Sequence, residues 1–379
     1  MDNAEPLVVW GTCDTGKPRG RLLLAAARHG GGRVIECLAP VWAGVEDKSQ
    51  LQGGARLWYL LRWLASYPLL ILRYLRLPRH RVVLVGYPGL LDVLILWPWA
   101  RLRGARILWD VFFSLYDTVV RDRGLLAPTA LVARLLRGVE RLACRLADRP
   151  FLDTATHARM VEELLSLPDG SCGHIPVGAE PLFHDAGERK HAAGGDRGET
   201  LSSPPEILFY GQFIPLQGTA VIVEAARLLE VRGVPARWTL IGSGQEGGAV
   251  DRRIAAEALS SVRREPWAAF ETLPARIAAA DIVLGIFGVS AKARSVIPNK
   301  VYQALAVGQR LVTADTPALR ELLPEPPAGV RLVPPGDAAA LADAVVDLAA
   351  SGEAPPPPTG PRPADLAAHL AREVSHALA

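Results

Sequence analysis

Residues 281–313 carry the pattern that most restricts how this chain can fold. Two short apolar runs, 281–287 and 309–313, flank a polar loop and an apolar stretch that begins at Pro298. Short apolar runs of this kind are typical of buried strands, and proline suits the first turn of a helix, where its missing N–H is least needed. The segment therefore predicts strand, loop, helix and strand in succession, which is the repeating unit of a parallel α/β sheet.

Lysine is rare in this chain, and two lysines fall in this one loop. Of the 42 basic residues only five are lysines. Lys292 precedes the predicted helix and Lys300 lies in its first turn, where backbone N–H groups favour an anion and a compact ammonium suits phosphate. A solvated helix start is the alternative explanation. The phosphate-site candidates are Lys292 and Lys300, as catalytic cations, with Arg294 and Asn299.

The sequence around this helix has a familiar order. Ile-Pro-Asn-Lys-Val-Tyr-Gln-Ala-Leu-Ala-Val-Gly occupies residues 297–308, and Asp-Thr-Pro-Ala-Leu-Arg-Glu-Leu-Leu follows the second strand at 315–323. This order resembles the donor-site segment of the group 1 glycosyltransferases. The resemblance implies an α/β fold of GT-B type, with two Rossmann-like domains facing across a cleft and a C-terminal helix crossing back. It also implies retaining transfer of a hexosyl group from a nucleotide diphosphate sugar.

Four positions depart from the pattern of that family. The family usually has two glutamates that flank seven residues, and this chain has Ser295 and Gln303 there. In the first loop of the same domain, Gln212 and Gln217 stand where the family commonly has Arg and Lys. The resemblance implies that Gln303 contacts the donor and that the cations of the 292–300 loop hold its diphosphate.

Length and composition predict two domains of ordinary size. The chain has 379 residues, of which 50% are hydrophobic and 21% charged, which is ample for two buried cores. A net charge of +3 is too small to make nucleic acid the expected partner. Four scattered cysteines fit neither a zinc site nor a disulfide framework, and the first residues lack the basic start of a signal peptide. We therefore expect a cytoplasmic protein without metal or cofactor.

Composition also predicts where the domains meet. Residues 184–205 are rich in Gly, Ala, Ser, Pro and charge and contain almost no large apolar side chain, which is typical of a linker. We accordingly expect an acceptor domain at residues 1–183 and a nucleotide-sugar donor domain at 206–350. A proline-rich segment and a helix complete the chain at 351–379, and the resemblance implies that this helix packs on the first domain.

Two loops of the first domain contain candidates for the acceptor side. One glycine-bracketed loop follows the first strand, and another loop follows the strand at 105–110. Ligands bind beyond the carboxyl ends of strands in open α/β sheets, so both loops are placed for an acceptor, with a plain turn as the alternative. Asp110 or Asp117 would accept a proton from the acceptor hydroxyl or orient it. The other acceptor-side candidates are Gly11, Thr12, Lys17, Arg19 and Tyr116.

The second domain contains a glycine pattern with two explanations. Its first loop begins at Gly211, and its next strand runs into Gly242-Ser-Gly244-Gln-Glu-Gly247. Such a turn between a strand and a helix is typical of dinucleotide binding, and by this explanation the domain would bind NAD. A similar turn occurs in the family that the chain resembles, which makes Gly211, Gly242 and Gly244 donor-binding candidates. The alternatives are an NAD-dependent oxidoreductase, a sugar-nucleotide epimerase and an inactive binding partner of the same fold.

Residues 54–81 form a basic segment rich in aromatic side chains. Six arginines alternate with Trp and Tyr, and no acidic residue occurs between Ser49 and Leu91. The longest uncharged run is shorter than the roughly 20 residues a spanning helix needs, and Pro68 is expected to divide the segment. This composition is typical of a helix in the lipid headgroup layer, with a buried helix pair as the alternative. We expect peripheral attachment to the anionic inner face of the cell membrane, with a lipid-linked or cell-envelope glycan as acceptor.

Overall fold

The protein is described by a computed structural model in which the chain forms two compact units. The first unit comprises Met1–Val177 together with Pro361–Ala379, and the second comprises Gly178–Gly360. The residues that the structure describes are 5–41, 53–194 and 204–379.

The first unit alternates strands and helices along the chain. Its strands are β1 (Leu7–Gly11), β2 (Val34–Leu38), β3 (Val82–Val85), β4 (Arg106–Asp110), β5 (Arg149–Leu152) and β6 (Gly173–His174). Its helices up to this point are α1 (Pro18–His29), α2 (Gly53–Leu75), α3 (Leu90–Leu102), α4 (Leu131–Leu146) and α5 (Ala155–Leu165), with a π-helical segment at Asp117–Asp122.

The strands form one parallel sheet in the order β2-β1-β3-β4-β5-β6. Strands that are buried on both faces need continuous apolar sequence, and β3 (Val-Val-Leu-Val) is buried at every position. Crossovers between parallel strands are right-handed, and the strand order changes direction after β2. Helix α1 therefore lies on one face of the sheet, while α2, α3, α4 and α5 cover the other.

Helix α2 runs through Pro68 without a break, which corrects the predicted division of the segment. Pro68 lies on the exposed side of the helix, where the hydrogen bond that proline removes is replaced by solvent. The opposite side buries Tyr67, Leu70 and Tyr74 against the sheet. No helix among the described residues has both the length and the apolar run required to cross a bilayer.

The second unit has the same alternation. Its strands are β7 (Glu206–Tyr210), β8 (Arg237–Ile241), β9 (Val262–Glu265), β10 (Ile282–Leu284), β11 (Leu311–Ala314) and β12 (Val330–Val333). Its helices are α6 (Pro181–Ala192), α7 (Thr219–Val231), α8 (Gly247–Ala256), α9 (Leu273–Ala279), α10 (Ala291–Ser295), α11 (Asn299–Val307), α12 (Pro317–Leu322) and α13 (Ala338–Ala350). The parallel sheet has the order β12-β11-β10-β7-β8-β9. Two Rossmann-like units confirm the predicted α/β fold class.

Helix α6 covers residues 184–192 of the segment that composition predicted to be a linker, residues 184–205. The helix begins with Pro181 directly after Glu180, and it packs on α11 and α9. A Cβ at Gly187 would lie 2.1 Å from the carbonyl oxygen of Ala306, so this glycine lets the two helices approach closely. At least this one of the small residues that suggested a linker is therefore a packing residue. Positions 195–203 of the predicted linker lie outside the described residues.

The predicted polar loop at 292–300 is also more ordered than expected. Residues Ala291–Ser295 form α10, whose N-cap Ser290 accepts a hydrogen bond from the backbone N–H of Ala293. Helix α11 then begins at Asn299, directly after Pro298. A short helix and an extended connection thus replace the loop.

The last helix, α14 (Pro363–Leu378), belongs to the first unit. It packs on α1 and across β4 and β5, on the face that α1 covers. Glu373 on this helix accepts a hydrogen bond from Arg149 Nε at 2.6 Å, and its side chain is 8% exposed. The helix thus completes the core of a unit from which it is distant in sequence.

Candidate functional site

The strand order of the second unit reverses beside β7, which has β10 on one side and β8 on the other. Crossover helices on the two sides of this point lie on opposite faces of the sheet, which leaves a crevice at the carboxyl ends of β7 and β10. Gly211 follows β7 at this edge, and the segment 285–288 follows β10. A donor that binds in this crevice would contact residues near these two strand ends.

The loops after β7 and β8 make close backbone contact at glycine positions. A Cβ at Gly242 would lie 1.9 Å from the carbonyl oxygen of Gly211, and a Cβ at Gly244 would lie 2.7 Å from that of Phe213. Gly211 and Gly242 have φ values of 145° and 134°, which side chains rarely allow. The backbone N–H of Glu246 donates to the carbonyl oxygen of Phe213 at 2.8 Å. Close contact between two loops thus accounts for the glycine pattern.

Lys300 is buried at the start of α11, with its ammonium against the end of β7. Nζ donates a hydrogen bond to Gln217 Oε1 at 2.5 Å and lies 3.7 Å from the centroid of the Phe209 ring. A Cβ at Gly211 would lie 3.0 Å from Nζ. Burial holds the pKa of Lys300 well below its usual value. Among the described residues no carboxylate pairs with this ammonium, so its charge is compensated only by an amide oxygen and ring faces.

The other residues of the predicted phosphate site differ in exposure. Lys292 and Ser295 are buried, Arg294 is exposed, and Asn299 is half-buried as the first residue of α11. Ser295 Oγ donates to the carbonyl oxygen of Lys292 at 3.0 Å. Both lysines are therefore buried, and the alternative of a solvated helix start is wrong.

Gln303 is buried on α11 between two polar side chains. Tyr210 Oη donates to Gln303 Oε1 at 2.8 Å, and Gln303 Nε2 donates to Glu180 Oε2 at 3.3 Å. Glu180 is 4% exposed and directly precedes α6. Position 303 itself has no carboxylate, but the carboxylate of Glu180 lies within hydrogen-bond distance of it. The sequence analysis did not find Glu180.

In the first unit, Arg19 and Asp110 form a buried ion pair. Arg19 Nη2 lies 2.9 Å from Asp110 Oδ1 and Nε lies 3.0 Å from Oδ2, and both side chains are at most 3% exposed. Arg19 Nη1 also donates to the carbonyl oxygen of Ile175 at 2.7 Å. Burial raises the pKa of Asp110, and the Arg19 guanidinium opposes that shift. Both carboxylate oxygens are held by Arg19, which makes Asp110 a partner of the arginine.

Thr12 belongs to a buried polar cluster centred on Asp92. The backbone N–H of Thr12 donates to Asp92 Oδ2 at 2.8 Å, Tyr67 Oη donates to Asp92 Oδ1 at 2.7 Å, and Trp63 Nε1 donates to Thr12 Oγ1 at 3.0 Å. A Cβ at Gly11 would lie 2.4 Å from Asp92 Oδ2, so glycine is required there. Burial raises the pKa of Asp92 to about 6. The sequence analysis did not find Asp92, the first acid after the basic segment.

Asp117 and Tyr116 lie beside a second buried carboxylate, Glu140 on α4. Glu140 accepts hydrogen bonds from Ser114 Oγ at 2.9 Å and from the backbone N–H groups of Leu115 and Tyr116 at 2.7 and 3.1 Å. Burial raises the pKa of Glu140. Asp117 is 2% exposed, and its Oδ2 has no hydrogen-bond partner among the described residues. Glu140 holds the loop after β4, and Asp117 is its buried neighbour.

Two further groups complete the carboxyl edge of this sheet. Lys17 is half-buried and directly precedes α1. His157, in the first turn of α5, has Nδ1 at 2.5 Å from Asp153 Oδ1, while its buried Nε2 has no hydrogen-bond partner in the described part of the chain. The predicted site residues thus form two groups, one at the carboxyl edge of each unit's sheet.

Comparison with known proteins gives a family match within the second unit and solved structures of the same fold. Residues 204–351 match the family model of the group 1 glycosyl transferases, whereas no curated protein matches the sequence. The chain is similar to Anabaena Alr3699/HepE in complex with UDP-glucose, at 13% identity and a TM-score of 0.60, covering 98% of this chain and 97% of that one.

Two further solved structures have the same fold. A glycosyltransferase from Rickettsia africae is 12% identical with a TM-score of 0.56, covering 100% of this chain and 94% of its own. An UDP-forming trehalose-phosphate synthase from Burkholderia xenovorans is 14% identical with a TM-score of 0.58, covering 99% and 95%. The chain therefore has the GT-B fold, and its residues 204–351 are a group 1 glycosyl transferase domain.

Proposed function

We propose that this protein moves a hexosyl group, with retention at the anomeric carbon, from a nucleotide diphosphate sugar to a lipid-linked or cell-envelope glycan. Lys300 carries the proposal. A buried ammonium without a paired carboxylate is unfavourable unless an anion completes the site. Lys300 lies at the carboxyl edge of the second sheet, beside the strand reversal where ligands of such sheets bind. A diphosphate is the anion that the family match makes relevant.

The residues of this edge would stabilise the negative charge that develops on the diphosphate during the transfer. In the transfer, the bond from the anomeric carbon to a diphosphate oxygen breaks, the acceptor oxygen forms a new bond to that carbon, and the proton of the acceptor hydroxyl passes to the leaving diphosphate. Negative charge develops on the leaving diphosphate, where a preorganised cation lowers the barrier. Lys300 supplies that cation, and the N-terminus of α11 adds a partial positive charge. Exposed Arg294 is available as a further cation.

The choice of nucleotide follows from the neighbours in structure. The Anabaena protein was crystallised with UDP and with UDP-glucose, so a uridine nucleotide is the first donor to test. Loop packing already explains Gly242 and Gly244, which weakens the NAD alternative. The epimerase and inactive-partner alternatives predict, respectively, turnover without an acceptor and no turnover at all.

The acceptor and the place of action are inferred from the first unit. Helix α2, within the predicted basic segment 54–81, exposes leucines and arginines together. Such a face suits the anionic cytoplasmic surface of a membrane, where a lipid-linked acceptor would be found. We therefore place the reaction at the inner face of the cell membrane, with the protein bound peripherally.

Calorimetric titration with UDP, GDP, CMP, NAD and uridine tests the proposal. Lys300→Met should weaken UDP binding about 10- to 100-fold, because a hydrogen bond to a charged group contributes about 1.5–3 kcal/mol, and should leave uridine binding unchanged. Lys190→Met is the matched control, since Lys190 Nζ donates to the carbonyl oxygen of Gly308 away from this edge. Equal loss for UDP and uridine would refute the phosphate role of Lys300.

A further inference from the structure

The large apolar side chains that the protein exposes are concentrated on one face of the first unit. Among the described residues, all of them except Val231, Trp267 and Val289 belong to residues 57–142. They recur along α2 from residue 57 to its end, so the described outer side of this 23-residue helix exposes large apolar side chains along its length, with Arg62 and Arg73 among them. The members on α2 are Leu57, Trp58, Leu60, Leu61, Leu64, Leu69, Leu72 and Leu75.

Helix α4 has a second apolar face, which has no role in the site described above. Leu131 is 75% exposed and Leu135 is 65% exposed, and Val132 and Leu142 are also exposed. Helix α3 lies between α2 and α4, packs on both and exposes Leu102. The three helices therefore form one layer, and each of them exposes large apolar side chains on its outer surface.

Every charged side chain that this layer exposes is an arginine. In the described parts of the three helices the only acids are Asp92 and Glu140, and both are buried. Leucine mixed with arginine, without exposed acid, complements a bilayer that carries anionic headgroups. A second copy of the same surface would oppose arginine to arginine, which like-charge repulsion disfavours. The exposed arginines are Arg62, Arg73, Arg101, Arg134, Arg137 and Arg145.

The apolar side chains gather toward one edge of the sheet. Crossover helices run antiparallel to the strands that they connect, so α2 and α4 both begin at the carboxyl edge. The exposed side chains at 57–64 and 131–135 lie in the first half of each helix. Leu115 and Leu125, in the chain between β4 and α4, are exposed as well. Thr12, an acceptor-side candidate, follows β1 at the same edge.

We propose that the outer surface of α2, α3 and α4 docks on an anionic bilayer, with α4 and the loop before it as a second lipid contact beside α2. Docking in this orientation brings the carboxyl edge of the first sheet to the headgroup layer. The docking extends the membrane contact of the proposed function from α2 to α4 and does not depend on donor binding, whereas the role of that edge in receiving an acceptor rests on the proposed function.

Sedimentation of the full-length protein with phosphatidylcholine vesicles, with and without phosphatidylglycerol, tests the docking in the absence of any donor. Wild-type protein should partition to the vesicles that contain phosphatidylglycerol. Arg134→Glu combined with Leu135→Ser should lower the partition coefficient about tenfold or more, since one basic residue near such a surface contributes about fivefold. Val231→Ser combined with Arg252→Glu makes the same chemical changes at exposed positions of the second unit and should retain binding.

Equal partitioning of the two double variants, both checked for folding by their melting curves, would overturn the α4 contact. Wild-type protein that ignores anionic vesicles and forms dimers in the ultracentrifuge would assign the surface to a second copy and overturn the proposal. Calorimetry on the same preparations separates the docking from donor binding. Protein that binds UDP but no vesicles refutes the docking, and with it the membrane location proposed above, and leaves the donor site standing. Protein that binds vesicles but no nucleotide refutes the proposed sugar transfer and leaves the docking standing.

Discussion

Tyr67 Oη donates a hydrogen bond to Asp92 Oδ1 over 2.7 Å, and this bond joins the inner side of α2 to the first turn of α3. The same carboxylate accepts from the backbone N–H and the hydroxyl of Thr12, in the loop after β1. A helix with an apolar and basic outer side is therefore connected to a candidate acceptor loop through one buried carboxylate. Movement of α2 along the sheet requires that this cluster moves with it or breaks.

Asp92→Asn should remove a pH dependence of stability. The pKa of Asp92 is raised from 3.8 to about 6 in the folded protein. A carboxyl whose pKa is raised by folding contributes stability that is fully present below the unfolded pKa and is lost as the pH rises through the folded one. The free energy of unfolding of the wild type, relative to the variant, should therefore decrease between about pH 4 and pH 6. Urea titrations across this range measure it, and a constant difference would contradict it.

Binding of a nucleoside diphosphate should take up a proton at Lys300. Burial lowers the pKa of the free lysine, and a bound diphosphate would raise it again. Affinity should then fall as the pH rises above the pKa of the free enzyme. Calorimetry in two buffers of different ionisation enthalpy, at mildly alkaline pH where the diphosphate is itself ionised, measures the uptake. Lys300→Met should show none, and equal heats in both buffers for the wild type would reject the prediction.

Gln303→Glu should lower both stability and donor affinity, although it restores the residue that the family usually has. The new carboxylate would stand about where Gln303 Nε2 now donates to Glu180 Oε2 at 3.3 Å, which replaces a hydrogen bond by like-charge repulsion. We expect a loss of about 1–3 kcal/mol in the free energy of unfolding, the usual penalty for an unsatisfied buried polar group.

The double variant Gln303→Glu with Glu180→Gln exchanges the two groups and should recover most of that stability. A large gain in turnover for Gln303→Glu alone would show that the natural chain has lost an activity, and would favour the inactive-partner alternative.

Asp110→Asn separates a structural role from a catalytic one. Removing one partner of a buried ion pair typically costs about 3–5 kcal/mol, because the other charge is left without compensation. Asp110 and Arg19 are such a pair, so the variant should unfold more easily, and any decrease in turnover should follow the loss of folded protein. A variant that is as stable as the wild type but inactive would instead support proton transfer by Asp110. Thermal melts and single-turnover rates on the same sample distinguish these results.

The sequence predicted the parallel α/β fold because most strands of both sheets are short apolar runs bounded by turn residues; the exceptions include β9, which reads Val-Arg-Arg-Glu and gave no such signal. It also drew attention to Lys300, because a lysine is rare in this chain; the structure shows this lysine buried at the start of α11, and its role in the site stays a prediction. Pairings between distant elements were not predictable in the same way. Glu180 and Gln303 are separated by more than a hundred positions, and nothing near either residue in the sequence indicates the other.

The linker prediction was wrong for residues 184–192, which belong to α6, and the reason is a different one. Small residues are common both in flexible segments and where two helices approach closely, and composition does not distinguish the two cases. Gly187 belongs to the second, since it faces the backbone of Ala306. Asp92, in contrast, could have been noticed in the sequence, because it is the first acid after a long stretch without any. In the structure this carboxylate is buried and accepts hydrogen bonds from Thr12 and Tyr67.

The position of α14 has a consequence for synthesis of the protein on the ribosome. Residues 178–360 are contiguous in the chain, so the second unit has all of its residues before the last helix has been translated. The first unit is made earlier but lacks α14, and with it the partner of Arg149, until the final residues have left the exit tunnel. The domain that is translated first is therefore completed last, and a premature stop near residue 360 would damage the N-terminal domain while leaving the C-terminal one intact.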